Sequence, residues 1–315
     1  MKSDSTTGGP VSDWTEFIRA NPDIKALDAF IMDVNGHALG KRLPLADAST
    51  AFRDGVQFSA CALVSDTRGL GHNVQGMGGS DGDPDATALP MSGTLCRAPW
   101  THAPTAQVQC DMRDLQHRKP LWFDPRLILA SVVDQCRAAG IHPVVACELE
   151  FYLIDPRRTP AGGIALAAPG PGASPPRRAM NLSLEAVEAQ AVFLSRVDEA
   201  AVAQGIPVCG SVAEYGIGQF EVNLHHVTDP LQAADHAVLL QRLVKGVAQS
   251  LGMQATFMAK PFIDQPGSGL HVHVSANDSR GVNRFGSEGG EQLLQQAIAG
   301  MQALMFDSIG LCAPN

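Results

Sequence analysis

Two carboxylates recur at alternating positions of one apolar segment. Glu148 and Glu150 lie within the run from Val144 to Leu153. Because side chains two residues apart on a β-strand point to the same face, we expect these carboxylates to stand side by side. Two ionised carboxylates on a half-buried surface repel each other, so one would take up a proton unless a cation lay between them. On their own, they are more typical of a solvated strand face than of a metal site.

A second segment repeats the alternation with other polar side chains. Gln219, Glu221 and Asn223 share one face of a predicted strand, and apolar residues occupy the other face. Glu214 precedes a glycine-rich turn that leads into this strand. We therefore expect the turn to bring Glu214 back beside Glu221.

A third segment follows a glycine loop and carries imidazoles at the same period of two. His271, His273 and Ser275 share one face of this predicted strand. Several carboxylates gathered with one imidazole in a pocket would be unfavourable without a cation, and such a mostly oxygen ligand set favours Mg²⁺ or Mn²⁺ over a closed zinc site. Two such ions beside a glycine loop are the usual apparatus of phosphoryl transfer.

Composition limits the class of protein and its partners. The 315 residues are 45% hydrophobic and 17% charged, with a net charge of −9, which predicts a soluble globular chain of one large or two medium domains. No apolar run is long enough to cross a membrane, and the N-terminus lacks the apolar core of a signal peptide. Seven cysteines without a Cys-x-x-Cys pair predict reduced thiols and a cytoplasmic location. Acidity without a basic run makes nucleic acid an unsuitable partner.

The elements that must position these residues fall into three parts. Residues 1–22 are predicted as a tail and a short helix, residues 23–118 as a small domain of strands and turns, and residues 119–315 as a larger domain of strands separated by helices. Asn35-Gly36 predicts a tight hairpin turn with two positive-φ positions. Ser183 predicts the start of one long helix that ends at Gly205. We expect the three polar strands to form one curved sheet whose polar side faces a pocket.

Four ordered motifs resemble those of the glutamine synthetase family, and most closely its branch of γ-glutamylputrescine synthetases. The resemblance runs from about residue 23 to the end. The sequence has no Walker-type or dinucleotide-binding fingerprint, which fits a family that holds ATP phosphates on metals. The motifs are Glu148-Leu-Glu-Phe-Tyr152, Glu214-x-Gly-x-Gly-Gln-Phe-Glu221-Val-Asn223, Lys260-Pro261 and Gly267-Ser-Gly-Leu-His271-Val-His273-Val-Ser275.

This resemblance implies a role for each matched position. The metal that orients the glutamate carboxylate would be held by Glu150, Glu214 and Glu221, and the metal on the ATP phosphates by Glu148 and His271. The loop that holds the glutamate backbone would contain Gly267 and Gly269. The nucleotide would be contacted by His273 and Ser275.

The resemblance also implies a fold, a reaction and an assembly. The fold would be α+β, with a small β-grasp-like N-terminal domain followed by a glutamine-synthetase-type catalytic α/β domain built on a curved antiparallel sheet. With ATP as co-substrate and two Mg²⁺ or Mn²⁺ ions per site, the γ-phosphate would pass to the side-chain carboxylate of glutamate, and an amine would then attack the acyl phosphate. Family members are homo-oligomers, dodecamers of stacked rings, in which the N-terminal domain of one subunit completes its neighbour's site.

Two departures from the family pattern affect these expectations. Ammonia-using members carry Phe-Asp-Gly-Ser-Ser where this chain, aligned on Phe58, has Ser59-Ala60-Cys61, and the changed pocket suits a larger amine such as putrescine. The family also continues beyond Ala313-Pro314-Asn315 with phosphate-binding arginines, a flap glutamate and a further metal ligand. We therefore expect a truncated catalytic domain of poor solubility, with no catalytic residue assignable in this chain.

The alternatives differ in function class. One is glutamine synthetase itself, with ammonia as acceptor, and another is an inactive family member that serves only as a binding or assembly subunit. A metallohydrolase barrel with a His-x-His pair fits less well, because such barrels place the pair on an early strand, whereas His271 and His273 lie near the end of this chain.

Overall fold

The computed structural model describes residues 10–70, 76, 78–170, 174, 178 and 180–312. The chain divides into two compact units, Met1–Ala130 and Ser131–Asn315. The boundary predicted between residues 118 and 119 lies earlier than this division and stays a prediction. Most of the predicted N-terminal tail, residues 1–9, and the final Ala313-Pro314-Asn315 motif lie outside the described residues.

The first unit is built on a mixed sheet. Its strands follow the order β2-β1-β6-β4-β3, with β5 paired to β6, and all described pairings are antiparallel except that of β1 with β6. The strands are β1 (Ala26–Met32), β2 (Ala38–Pro44), β3 (Val56–Ser59), β4 (Asp85–Pro90), β5 (Cys96–Arg97) and β6 (Thr105–Asp114). Two helices, α1 (Pro10–Ala20) and α2 (Leu45–Asp54), belong to this unit, and α3 (Pro125–Ala138) spans the division.

One face of this sheet forms a core with helices α1 and α2. Leu27 and Ile31 are buried at alternating positions of β1, as the period of a strand requires. Trp14 of α1 stacks on Phe52 of α2, with ring centroids 5.4 Å apart. Burial of these aromatic side chains is a main source of stability in a unit of this size.

The predicted hairpin is present, but its turn is not the one predicted. β1 and β2 pair from Ala26↔Pro44 to Met32↔Ala38, which leaves a loop longer than two residues. Gly36 has a positive φ of 73°, whereas Asn35 is not among the positive-φ residues of the described chain. The buried Asp33 carboxylate instead accepts hydrogen bonds from the backbone N–H groups of Asn35 and His37, at 2.9 and 2.7 Å. This side chain organises a wider turn than an Asn-Gly pair would need.

The second unit is an antiparallel sheet around one long central strand, β7. The sheet has the order β11-β7-β10-β9, and β12 and β8 also pair with β7. Its strands are β7 (His142–Asp155), β8 (Ala165–Leu166), β9 (Val208–Ala213), β10 (Gln219–Leu224), β11 (Gln254–Thr256) and β12 (Leu270–Asn277). Its helices are α4 (Leu184–Ala189), α5 (Ala191–Gln204), α6 (Pro230–Ser250) and α7 (Gly290–Cys312). Together, the two units confirm the predicted α+β class.

The alternation predicted for β7 is confirmed. Cys147, Leu149, Phe151 and Leu153 are all buried on one face of the strand. Phe151 lies 6.0 Å from the ring of Phe193 on α5, in an edge-to-face arrangement. We expect truncation of Phe151 to alanine to cost about 3–5 kcal/mol, the usual cost for a buried aromatic residue. The opposite face of β7 is therefore left for the carboxylates.

The apolar face expected for the third strand, β12, is not buried. Leu270, Val272 and Val274 are 61%, 55% and 55% exposed. Within the part of the chain that the structure describes, no element covers this face. The alternation of side chains buries a strand face only where a second layer packs on it.

The single helix predicted from Ser183 to Gly205 is two helices. Ser183 caps α4, its Oγ accepting a hydrogen bond of 3.2 Å from the backbone N–H of Ala186. The chain leaves the helical conformation at Gln190, with φ −109° and ψ 20°, and continues as α5 to a left-handed Gly205. Across the described residues, none of the helices has the length and apolar character needed to span a membrane.

Candidate functional site

Strand register brings the predicted site residues to one face of the second sheet. Glu221 of β10 lies opposite Glu150 of β7, and His271 of β12 lies opposite Glu148 of β7. The backbone N–H of Glu214 donates to the carbonyl of Gln219 at 3.0 Å, which closes the turn before β10. Four carboxylates and an imidazole therefore come from three adjacent strands and one turn.

His271 lies at the centre of this group. Its Nδ1 is 3.2 Å from Oε2 of Glu148 and 3.7 Å from Oε2 of Glu221, and its Nε2 is 3.9 Å from Oε1 of Glu150. Potential ligand atoms of Glu148, Glu221 and His271 all lie within 4.8 Å of one another. This cluster combines residues that the resemblance divides between two metals, and that division stays a prediction.

Two carboxylates of this face, Glu214 and Glu221, have raised pKa values. Burial is the main cause that raises the pKa of the Glu221 carboxyl, and the charges of Glu148, Glu214 and Glu150 raise it further against a hydrogen bond from Asn223. Burial also raises the pKa of Glu214, and the carboxylates of Glu150 and Glu148 add to this effect. Like charges held together in a partly dry site produce this result.

Glu148 behaves differently because it is surrounded by donors. Burial alone would raise its pKa, but hydrogen bonds from His273, Asn223 and His271 outweigh that effect and hold the pKa below its ordinary value. His273 Nε2 lies 3.1 Å from Oε1 of Glu148. The site thus holds one carboxylate that favours ionisation beside two that resist it.

This donor set fits a divalent cation. Carboxylate oxygens with one imidazole nitrogen suit Mg²⁺ or Mn²⁺, and a cation would relieve the charge repulsion that adds to burial in raising the pKa values of Glu214 and Glu221. Three of the candidate ligands, Glu148, Glu150 and Glu221, come from β7 and β10, whose other face is packed core, which fixes their backbones before any ion binds.

The glycine loop lies against the same carboxylates. The Glu150 backbone N–H donates to the carbonyl of Gly269 at 3.1 Å, and the Tyr152 hydroxyl donates to the carbonyl of Pro266 at 2.7 Å. A Cβ at Gly269 would lie 3.1 Å from Glu150 Oε1, and one at Gly267 would lie 2.7 Å from the carbonyl of Ala259. Both positions therefore need glycine for the loop to approach this closely.

Gln219 is a structural part of the site that sequence analysis did not single out. It is buried, and its Nε2 donates to Oε2 of Glu150 and to the carbonyl of Gly267, each at 2.9 Å. Its Oε1 accepts a hydrogen bond from the backbone N–H of Gly216 at 2.9 Å. One amide therefore joins β7, the glycine loop and the turn after Glu214. Its place on the polar face of the predicted strand was the available signal.

The two predicted nucleotide contacts occupy different surroundings. His273 lines a cavity of about 300 Å³ together with Glu148, Asn223 and His226. Ser275 is not among the residues that line this cavity, and its Oγ donates to Oδ1 of Asn277 at 3.1 Å. The structure therefore brings His273, but not Ser275, to the carboxylate cluster.

The departure from the family pattern at Ser59 has a compensating neighbour within the first unit. The Ser59 hydroxyl donates to Oδ1 of Asp83 at 2.5 Å, and the Cys61 thiol lies 3.6 Å from the same oxygen. A carboxylate is thus present at this loop, although a different segment of the chain supplies it.

Comparison with known proteins agrees with this geometry. The family model of the glutamine synthetase catalytic domain matches residues 123–315. The γ-glutamylputrescine synthetase PuuA of Escherichia coli (strain K12) is 36% identical over 302 residues, which are 95% of this chain and 63% of that protein. The glutamate–methylamine ligase of Methyloversatilis universalis is 31% identical over 269 residues, which are 85% of this chain and 56% of that protein.

A solved structure gives the same result for the fold. A glutamine synthase homologue superposes with a TM-score of 0.70 at 22% identity, over 83% of this chain and 57% of that one. The chain spans less than two thirds of the length of each of these relatives. The second unit accordingly has the glutamine-synthetase-type catalytic fold with its curved sheet. The chain belongs to the glutamine synthetase family.

Proposed function

We propose that this chain carries the site of an ATP-dependent ligase that joins the γ-carboxyl group of glutamate to an amine. The observation that carries the proposal is the cluster of Glu148, Glu221 and His271 on the polar face of the second sheet. Family membership supports the same reaction type, since the relatives compared above join glutamate to putrescine or methylamine.

The metal ligands would be the four carboxylates and the imidazole on the polar face of the second sheet. Glu150, Glu214 and Glu221 would hold one ion, and Glu148 and His271 would contribute to a second. Bound Mg²⁺ or Mn²⁺ would supply positive charge that offsets the negative charge of the ATP phosphates during transfer.

Other residues would position these ligands and the substrates. Hydrogen bonds from His273 and Asn223 keep Glu148 ionised, ready to bind a cation. Gln219 holds the Glu150 carboxylate by one of its oxygens and leaves the other available. Gly267 and Gly269 would hold the backbone of glutamate, and His273 with Ser275 would contact the nucleotide.

The acceptor is proposed to be a primary alkyl amine of the putrescine type. The E. coli relative is named for putrescine and the Methyloversatilis relative for methylamine, so both act on amines larger than ammonia. Ammonia remains the alternative acceptor, because the family takes its name from glutamine synthesis.

We propose further features from the family resemblance. The parallel pairing of β1 with β6 supports a β-grasp-like first domain, here residues 23–118, followed by the catalytic domain from residue 119. We propose a cytoplasmic homo-oligomer, a dodecamer as in the family, that binds glutamate and a small amine and has neither nucleic acid nor a membrane as a partner.

The test is ADP formation by the protein with Mg²⁺, ATP, glutamate and either putrescine or ammonium, with the product identified by mass spectrometry. We expect ADP and γ-glutamylputrescine in equal amounts. Glu221→Gln should lower the rate more than about 100-fold, since even changes around metal ligands cost about 10–100-fold. Glu199→Gln, at an exposed position of α5, is the matched control. ADP formation with ammonium alone would favour glutamine synthetase, and its absence with both amines would refute ligase activity.

A further inference from the structure

A second cavity of about 220 Å³ adjoins the candidate site. It is lined by Glu214 at one part of its wall and by apolar side chains that include Met180, Ala186 and Ala213. An engineered apolar cavity of about 150 Å³ is large enough for benzene. A four-carbon diamine has a similar number of non-hydrogen atoms and therefore fits this space.

The same cavity is lined by Gln190, at the break between α4 and α5. Gln190 is only 5% exposed, and its Oε1 is buried without a hydrogen-bond donor among the described residues. A buried amide oxygen left in this state is costly for the fold, and most such oxygens in proteins have a partner. An N–H or O–H group of a bound molecule would supply the missing donor.

We propose that this cavity holds the alkyl chain of the acceptor amine, with the reacting amine toward Glu214 and a second donor on the far end of the chain hydrogen-bonded to Oε1 of Gln190. The acceptor class is then a short aliphatic α,ω-diamine. This inference rests on the proposed function and adds to it the group that recognises the second amine.

The charges of the cavity wall are compatible with such a ligand. Among the residues that the structure describes, Glu214 and Arg178 are the titratable ones that line it. Arg178 is exposed to solvent, where water and salt screen its charge. Gln190 accepts a hydrogen bond without adding a charge, so it serves an ammonium group or a hydroxyl group at the far end of the chain.

The test compares three ligands of equal chain length: butane-1,4-diamine, 4-aminobutan-1-ol and butylamine. Binding is measured by titration calorimetry, which needs no turnover, and ADP formation is measured in parallel. For the unaltered protein we expect the diamine and the amino alcohol to bind about tenfold or more tightly than butylamine, because a hydrogen bond to a buried acceptor favours them. Equal affinities for the three ligands would overturn the proposal, as would binding of none of them.

Substitutions at Gln190 separate recognition from structure. Gln190→Met keeps the size of the side chain but removes the oxygen, so the preference for the diamine over butylamine should fall to about onefold, with butylamine affinity unchanged. Gln190→Glu keeps an acceptor oxygen and should keep the preference. Gln249→Met, on an exposed position of α6, is the matched control and should behave as the unaltered protein. A Gln190→Met protein that still prefers the diamine would overturn the proposal.

Thermal unfolding provides a readout that a purely structural role would not produce. Because Gln190→Met removes a buried oxygen that has no donor among the described residues, the melting temperature should rise or stay the same while the diamine preference is lost. A fall in melting temperature with no change in preference would mean that Gln190 is structural and would overturn the proposal. Should Gln190→Met fail to fold, Ala186→Leu is the second variant. It fills the cavity and should weaken the binding of the diamine and of butylamine at least about tenfold. Unchanged affinities for these two amines would overturn the proposal.

The two proposals can fail separately. Diamine preference in binding without ADP formation would refute the ligase reaction and retain the cavity as an amine site. ADP formation at equal efficiency with all three amines would retain the ligase reaction and refute the role of Gln190.

Discussion

Replacement of Gln219 by leucine tests whether one amide holds the site together. Gln219 Nε2 donates to the Glu150 carboxylate and to the carbonyl of Gly267, and its Oε1 accepts from Gly216, each at 2.9 Å. A hydrogen bond to a charged group contributes about 1.5–3 kcal/mol, and a neutral one contributes about 0.5–1.5 kcal/mol. The three bonds amount to about 4 kcal/mol, and water that reaches the glycine loop would recover part of this, so we expect Gln219→Leu to cost about 3 kcal/mol.

The assay is urea unfolding followed by far-ultraviolet circular dichroism, because all three tryptophans lie in the first unit and would not report on the second. Hydrogen exchange of β7 and β10 amides then locates the loss within the sheet. Gln254→Leu, at an exposed position of β11 in the same sheet, is the matched control and should change stability by less than about 0.5 kcal/mol. A cost below about 1 kcal/mol relative to this control would refute the view that Gln219 joins the strand, the loop and the turn.

Three further predictions concern the electrostatics and the packing of the site. Because folding raises the pKa of Glu221 above 4.5, ionisation of this carboxyl destabilises the metal-free fold. Glu221→Gln should therefore raise the melting temperature at pH 7, and this gain should shrink as the pH falls toward 4.5. Added Mg²⁺ should stabilise the variant less than the unaltered protein. Gly269→Ala places a methyl group 3.1 and 3.2 Å from two clustered side chains and should weaken Mg²⁺ binding about tenfold by calorimetry, whereas Gly286→Ala, where a Cβ meets no atom within 4 Å, should not. His273→Ala should raise the pKa of Glu148 toward its ordinary value, as followed by a carbon-13 NMR titration, and an unchanged pKa would show that other donors hold that carboxylate.

The sequence predicted the parts of the site that follow from the period of a strand. Glu148 and Glu150 share a face because they are two residues apart, and the same rule placed Glu221 and His271 on the polar faces of their strands. The rule does not specify which strands are neighbours. That β10 and β12 both pair with β7 depends on contacts between distant segments, and the sequence did not predict it.

Features that depend on particular tertiary contacts were not predictable in this way. The turn after β1 is organised by the buried Asp33 carboxylate, which overrides the local preference of Asn35-Gly36 for a two-residue turn. The break at Gln190 lies in a sequence of good helix formers, so intrinsic helix propensity favours a continuous helix there. At the turn after β1, the hydrogen bonds to the Asp33 carboxylate therefore outweigh the local turn preference.

Gln190 and Gln219 are residues of the same type whose side-chain amides have different hydrogen-bond partners. Both are glutamines buried to at least nine tenths in the second unit. Gln219 has protein partners at both ends of its amide, and its hydrogen bonds hold Glu150 and the glycine loop in place. Gln190 leaves Oε1 without a donor among the described residues, at the wall of a cavity beside Glu214. Because an unpaired buried acceptor costs free energy that a ligand can recover, binding is expected where the amide is incomplete, and rigidity where it is satisfied.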